Sequence, residues 1–179
     1  MSRKKGLAVV SMIFVAAVAL LATGCQNDTQ KALEAPPGLP KNDTVSVFVY
    51  WPVGGGELVK ESKVVEKSSN MPKTVVQELF KRQPGSKQIL PILPNAKVLD
   101  VTVKDGLATV NFDRKILDFQ GSQKNQVGAL AAIVSTLTQF SEVKQVQFQI
   151  EGKTQGTIGG KDIQAFWGDV TLKDQPWKG

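Results

Sequence analysis

The stretch "KVLDVTVKDGLATVNF", residues 97–112, decides the fold, because it contains two alternating strands joined by a two-residue turn. Apolar side chains recur at every second position, which is the period of a half-buried β-strand. Between the two halves stands Asp105-Gly106, a pair that readily adopts the left-handed backbone of a type I′ turn. We therefore predict a β-hairpin with strands at residues 97–104 and 107–112.

Segments on either side of this hairpin carry the periodicities of three further strands and two helices. Pro72 suits the first turn of the first helix, and Ser122 is the predicted N-cap of the second. The resulting order, β-β-α-β-β-α-β, predicts an α+β fold with two helices packed on one face of a small mixed β-sheet. We assign the strands to residues 44–50, 57–66 and 143–150, and the helices to residues 74–82 and 122–140.

The second helix has the strongest helical periodicity in the chain. Its serine and threonine side chains have no base nearby in the sequence, so we expect them to pack or to bond the helix backbone rather than act as nucleophiles. The predicted core-facing stripe consists of Val127, Leu130, Ala131, Val134, Leu137 and Thr138, widened by Ile133 and Phe140.

Composition excludes several kinds of enzyme and binding protein. The 179-residue chain has no histidine and one cysteine, so it lacks the usual general base at neutral pH, an internal disulfide and a Cys-type zinc site. Its formal charge is +6, but three of the 22 basic residues stand before residue 25 and none of the 16 acidic ones does. The remainder, at +3, shows no basic stripe with interleaved aromatics, so we expect no nucleic-acid partner.

The N-terminal 25 residues have the three parts of a secretory signal. Basic residues at positions 3–5 precede the apolar run 6–21, and Ala22-Thr23-Gly24-Cys25 follows. This ending resembles the bacterial lipoprotein processing site, in which the peptide is cut before a cysteine that carries a diacylglyceryl group. We expect cleavage after Gly24 and lipid attachment, with acyl chains such as palmitate, at Cys25. The alternative is an uncleaved N-terminal membrane anchor, and both place the remaining chain outside the cytoplasm.

Proline and polar residues then mark a tether before the folded domain. We divide the chain into a signal peptide at residues 1–24, the lipidated cysteine and flexible tether at 25–43, the domain at 44–176, and a tail at 177–179.

Four segments together resemble the GerMN domain of sporulation and germination proteins. They are "VYWP" at 49–52, "LPNAKVLDVTVKDGLATVNFDRK" at 93–115, "IVSTLTQFSEVKQVQFQIEGK" at 133–153 and "FWGDVTLKDQP" at 166–176. The resemblance implies a compact module similar to ring-building domains, in exported lipoproteins of Gram-positive bacteria, with no assigned catalytic residues. This chain carries one copy, whereas the namesake sporulation protein carries two. The resemblance also implies a role in spore formation or germination.

Two glycine-rich segments and two acids have residue types that occur in chemical sites. Residues 54–56 and 156–161 lack the lysine and hydroxyl spacing of a phosphate-binding loop, so we expect turns there. Asp113 and Asp118 have the residue types of a glycosidase pair, but two acids in one loop are more often solvated surface. We therefore expect no enzyme activity, no cofactor and no bound metal.

Aromatic residues are the better candidates for contacts. We single out Trp167, Trp177 and Tyr50 as candidate partner or ligand contacts, whereas Trp51 is expected in the core. The leading hypothesis is a non-catalytic lipoprotein that uses its domain for protein–protein assembly, including self-assembly into a homo-oligomer. The alternative is a binder of an envelope glycan or small ligand, which requires a concave pocket lined by Tyr50, Trp51 and Trp167.

Overall fold

The computed structural model of the protein describes residues 43–54, 56–81 and 95–179. The predicted signal peptide, cleavage site at Gly24, lipid site at Cys25 and nearly all of the tether lie outside the described residues, as does the last residue of the predicted first helix. Within the described ranges, no helix has the length and apolarity needed to cross a membrane.

The elements follow the predicted order and confirm the α+β class. Short elements after residue 150, which the sequence did not indicate, complete the described fold: a 3₁₀ turn at Leu172–Asp174 and three two-residue strands. A second 3₁₀ turn spans Arg114–Asp118. The strands are β1 (Thr44–Pro52), β2 (Leu58–Glu66), β3 (Val98–Lys104), β4 (Leu107–Phe112), β5 (Gln145–Ile150), β6 (Thr157–Ile158), β7 (Lys161–Asp162) and β8 (Trp177–Lys178), and the helices are α1 (Met71–Glu78) and α2 (Gln123–Thr138).

The predicted central hairpin is confirmed as β3–β4. Asp105 and Gly106 adopt φ angles of 50° and 83°, and Lys104 pairs with Leu107 directly beside them. Strand β5 then adds in parallel to β4, a connection that needs a crossover, and α2 provides it. The four-stranded sheet has the order β3-β4-β5-β8.

The first two strands form a separate antiparallel ribbon, whereas the sequence predicted one small sheet. The reason is that α2 lies along β1 where a neighbouring strand would otherwise pair. Tyr50 donates its backbone N–H to Thr136 Oγ1 at 3.1 Å. The Gln139 side chain accepts from the Phe48 N–H at 2.9 Å and donates to the Phe48 carbonyl at 2.7 Å.

Both helices begin at side-chain caps. Ser122 accepts from the Asn125 N–H at 3.4 Å, which confirms the predicted N-cap of α2. Helix α1 begins at Met71, one residue before the predicted first-turn Pro72, because Asn70 caps it by accepting from the Lys73 N–H at 3.1 Å. Pro72 lies in its first turn, as expected.

The predicted stripe of α2 was partly wrong. Ile133, Val134 and Leu137 are buried as predicted, but Val127 is 48% exposed. The helix turns its small residues inward because it packs closely against the backbone of Gly56. A Cβ added at Gly128 would lie 3.2 Å from the Gly56 Cα atom. The buried residues of α2 are Gln126, Gly128, Ala129, Ala132, Ile133, Val134, Thr136 and Leu137.

We expect the Gln139→Ala substitution to lower the free energy of unfolding by about 1–2 kcal/mol, because both backbone groups of Phe48 lose their partner. Chemical denaturation measures this difference. The matched control, Gln123→Ala in the exposed first turn of α2, should change stability by less than about 0.5 kcal/mol. Equal effects of the two variants would contradict the bridging role of Gln139.

Candidate interaction surface

The three aromatic residues singled out in the sequence lie in different environments. Trp167 is 6% exposed and donates its indole N–H to the Ile116 carbonyl at 2.7 Å. Its ring lies 4.9 Å from Phe119 and 4.3 Å from Phe166, between ring centroids. Trp167 is therefore a core residue, and its hydrogen bond holds the 3₁₀ turn after β4. Little of its ring is available to a partner.

Trp177 is half-buried and forms part of the sheet. It pairs with Val146 in the β5–β8 ladder, and its ring lies 4.8 Å from that of Phe148. Packing against Phe148 therefore accounts for one side of the ring. Trp51 is buried in the core, as expected.

Tyr50 lies on the β1–β2 ribbon, where it takes part in an aromatic and aliphatic surface that the sequence analysis did not identify. Phe48 is 43% exposed and Val64 is 71% exposed on the same side of the ribbon. Lys60 crosses this face, with its Nζ atom 3.8 Å from the Phe48 ring centre and 5.8 Å from that of Tyr50. Such cation–π contacts hold the lysine over the rings and keep the apolar face partly hydrated. We call these four residues the ribbon face.

Beside the ribbon face, the edge of β2 is not paired with another strand in the part of the chain that the structure describes. The opposite edge, along β1, is bonded to α2 through Thr136 and Gln139. Within the described residues, β2 pairs with no strand other than β1. An edge of this kind presents a row of backbone N–H and C=O groups that can pair with another chain.

The four-stranded sheet, by contrast, has its edges covered or short. On β3, Asn70 donates to the Val101 carbonyl at 2.8 Å and Lys73 donates to the Leu99 carbonyl at 2.6 Å. Beyond the two-residue β8, Gln175 accepts from the Phe148 N–H at 2.8 Å. The edge of β2 is therefore the long open edge of the part of the chain that the structure describes.

The signals for this surface were present in the sequence but weak. Phe48 stands among valines in a segment that looks buried on both faces, and only the ribbon's position shows that its even-numbered side chains face outward. The charges of β2 indicate an extended segment but do not by themselves indicate a binding edge. Exposed apolar residues rimmed by charges are characteristic of protein-binding surfaces.

The two weighed acids have structural contacts rather than a shared cleft. Asp113 accepts from the Lys97 N–H at 3.0 Å and so joins the start of β3 to the end of β4. Asp118 pairs with Lys161 at 2.8 Å, and the same ammonium donates to the Leu117 carbonyl at 2.9 Å. The hydrogen bond and charge of Lys161 hold the pKa of Asp118 below its ordinary value.

The glycine-rich segment 156–161 is a turn, as expected. It forms the small β6–β7 hairpin, in which Ile158 pairs with Lys161 around Gly159 and Gly160. The lysine that made this segment resemble a phosphate-binding loop is the partner of Asp118.

An apolar cleft of about 400 Å³ lies between the start of β1 and the C-terminal end of α2. Its lining residues are Val45, Ser46, Val47, Lys67, Ser68, Met71, Gln139 and Phe140. Tyr50, Trp51 and Trp167, which the ligand alternative requires together, do not line it.

We expect Lys161→Met to raise the pKa of Asp118, because its main hydrogen-bond donor and nearest positive charge are removed. The pairing lowers the folded-state pKa, so its stabilising effect is present above the unfolded-state pKa and is lost as pH falls through the folded-state pKa. NMR titration of the Asp118 carboxyl tests this. The same titration in Lys153→Met should match the wild type, and an unchanged Asp118 pKa in Lys161→Met would contradict the pairing.

The family model Germane, described as "Sporulation and spore germination", matches residues 48–156. The spore germination protein GerM of Bacillus subtilis (strain 168) is 27% identical over 157 residues, which cover 83% of this chain. The chain spans only 40% of the length of that relative.

Solved structures show the same fold. The tandem GerMN domains of the sporulation protein GerM from Bacillus subtilis superpose with a TM-score of 0.54 at 23% identity, covering 74% of this chain and 48% of that one. The first GerMN domain alone gives a TM-score of 0.52 at 22% identity, covering 73% of this chain and 99% of that one. Together with the α+β order described above, these matches confirm the resemblance seen in the sequence, and the chain belongs to the Germane family and has the fold of a GerMN domain.

Proposed function

We propose that this protein is a lipoprotein anchored to the outer face of the cytoplasmic membrane, where its GerMN domain assembles with other envelope proteins in spore formation or germination. The observation that carries the proposal is the ribbon face beside the open edge of β2. Phe48 and Val64 expose apolar surface there, and the edge offers unpaired backbone groups for strand addition.

Anchoring is supported by the sequence of the first 25 residues. A basic segment, an apolar run and small residues before Cys25 have the pattern of a lipoprotein signal. Two or more acyl chains give stable membrane attachment, since each buried CH₂ contributes about 0.8 kcal/mol. Residues 26–43 would then span roughly 23 Å as a flexible tether and keep the domain close to the membrane.

A non-catalytic role is supported by the contacts of the two candidate acids, which are bonded to other groups of the chain. Asp113 and Asp118 each have a structural partner, and the chain has no histidine to act as a base. Among the described residues, no three His, Cys, Asp or Glu side chains are grouped so that they could hold a metal ion.

The developmental role is supported by the relatives. The matching family is described by sporulation and spore germination, and the similar Bacillus subtilis protein is named a spore germination protein. This chain corresponds to a part of that protein, so the shared feature is the GerMN domain.

The apolar cleft favours a second candidate function, which is the binding of a small apolar molecule beside the membrane. Its walls are formed mainly by aliphatic and aromatic side chains such as Val47, Met71 and Phe140, and they offer few polar groups to a glycan. Titration of the full chain with a medium-chain fatty acid tests this. Binding that Phe140→Ser does not weaken would count against the cleft.

We expect Cys25→Ser to move the protein from lipid-modified, mature material to an unprocessed form, because the thiol that accepts the lipid is lost. Metabolic labelling with a palmitate analogue and gel mobility measure this. Ser11→Ala, a change of similar size within the apolar run, should leave labelling intact. Labelling that persists in Cys25→Ser would contradict lipidation at this residue.

We expect partner capture from sporulating cells to depend on the ribbon face. Membrane crosslinking followed by mass spectrometry should recover a defined set of proteins with the wild type. The double variant Phe48→Ser/Val64→Ser should reduce their recovery by at least about tenfold, since buried interface side chains often contribute more than 1 kcal/mol each.

The matched control is Leu99→Ser/Val127→Ser, which removes two other exposed apolar side chains and should capture partners normally. Recovery of the protein without other proteins, in both vegetative and sporulating cells, would contradict the assembly proposal. Equal loss in the two double variants would contradict the assignment to the ribbon face.

A further inference from the structure

The open edge of β2 has a sequence that is complementary to itself. We propose that two copies of this chain pair through their β2 strands, antiparallel and centred on Ser62, to join two ribbons into one four-stranded sheet. The inference deepens the proposed assembly function by naming a second copy as a partner, and it relies on that function only for the setting at a membrane.

The backbone geometry of β2 determines which of its groups are available. Phe48 and Tyr50 direct their backbone groups toward α2, so their partners in the ribbon, Ser62 and Lys60, direct theirs away from β1. Alternate residues of β2 therefore point N–H and C=O groups outward. Pairing centred on Ser62 places Ser62 opposite Ser62 of the second copy, and Lys60 opposite Val64, in hydrogen-bonded pairs.

The charges distinguish this register from its neighbours. Centred on Ser62, Glu61 lies directly opposite Lys63 of the second copy, and this pair occurs twice because of the two-fold symmetry. The neighbouring registers in which the same outward backbone groups pair are shifted by two residues and are centred on Glu61 or on Lys63, and each places two like charges across the axis. Directly opposed residues have Cβ atoms about 4.5–5.5 Å apart, so opposite charges stabilise the pair and like charges destabilise it.

Lys63 already has an acidic neighbour in its own chain. Its Nζ atom lies 3.6 Å from Glu78 and 5.2 Å from the centre of the Trp51 ring on β1, so Glu61 of the second copy would add a second carboxylate beside this lysine. Glu61 is exposed and extends from the same face of β2. The lysines on this strand oppose unspecific strand addition, and this register places Lys63 opposite an acid.

The apolar residues along this edge also favour the register centred on Ser62. Val59, which is 47% exposed, would lie opposite Val65 of the second copy. Val64 would lie over the aliphatic part of Lys60, which is itself held against the Phe48 ring. Anchoring on one membrane surface raises the local concentration of the chains, so an edge contact of modest area suffices.

The experiment is a disulfide scan of the full chain in isolated membranes. Cys25 is retained, because a lipidated thiol cannot form a disulfide and the anchor keeps the chains on one surface, and the chain without an added cysteine gives the background. Single cysteines replace residues 60 to 64 in turn, and oxidised dimer is measured by gel electrophoresis. Paired residues at Ser62 would have Cα atoms within the range that a disulfide spans, about 4.4–6.8 Å. We expect Ser62→Cys to form the most dimer.

A mixed pair gives an independent reading of the register. Lys60→Cys and Val64→Cys should each dimerise poorly alone and form a mixed disulfide when combined. Strongest crosslinking at Glu61→Cys or Lys63→Cys would overturn the register, and absence of crosslinking at every position, including the mixed pair, would overturn self-pairing.

A charge variant tests the physical cause. Glu61→Lys should lower crosslinking through Ser62→Cys by roughly fivefold or more, because two attractive pairs become repulsive. Glu142→Lys makes the same charge change at an exposed position before β5, outside β2, and should leave crosslinking near the parental level. Equal effects of the two variants would overturn the role of Glu61.

The experiments distinguish failure of self-pairing from failure of the proposed assembly function. If partner capture depends on the ribbon face but the scan gives no disulfide, self-pairing is wrong and assembly with other proteins stands.

Discussion

The structure depends on how backbone hydrogen bonds are satisfied along β1. A helix, rather than another strand, lies beside this edge, and backbone groups inside a helix bond to one another instead of forming a ladder with a strand. The side chains of Thr136 and Gln139 supply the missing donors and acceptors, with Gln139 serving both backbone groups of Phe48. This contact separates the ribbon from the main sheet and fixes its position against α2.

Side-chain amides are used in the same way elsewhere in the molecule. Gln175 bonds both backbone groups of Phe148 beyond the short β8, and Asn70 caps α1 while donating to β3. Two sheet edges are thus closed by glutamine side chains, and a third by residues at the start of a helix. Edges that are closed in this way cannot recruit another strand, and among the described residues this leaves β2 as the long strand with an unpaired edge.

The candidate function follows from what this arrangement leaves exposed. Trp51 lies in the core, as the sequence predicted, and Trp167, a predicted contact residue, lies there too. The exposed apolar surface is at Phe48 and Val64. The same ribbon carries an open edge with alternating charges. A surface that combines apolar side chains, held lysines and unpaired backbone is suited to protein contacts rather than to chemistry on a small substrate.

The sequence by itself determined the elements whose causes are local. The Asp105-Gly106 turn, the alternation in β3 and β4, the cap at Ser122 and the α+β order all depend on residues that are near one another in the chain, and each is present in the structure. The lipid site at Cys25 is likewise a local pattern, and it stays a prediction.

Tertiary structure alone decided which faces are buried and which edge is open. The inward face of α2 depends on Gly128 meeting Gly56, more than 70 positions away, and the exposure of Phe48 depends on where α2 meets β1. Periodicity reports that a segment has an apolar side, but contacts between distant segments select the side that is covered. The candidate surface was therefore beyond the reach of the sequence, because it consists of what those distant contacts leave uncovered.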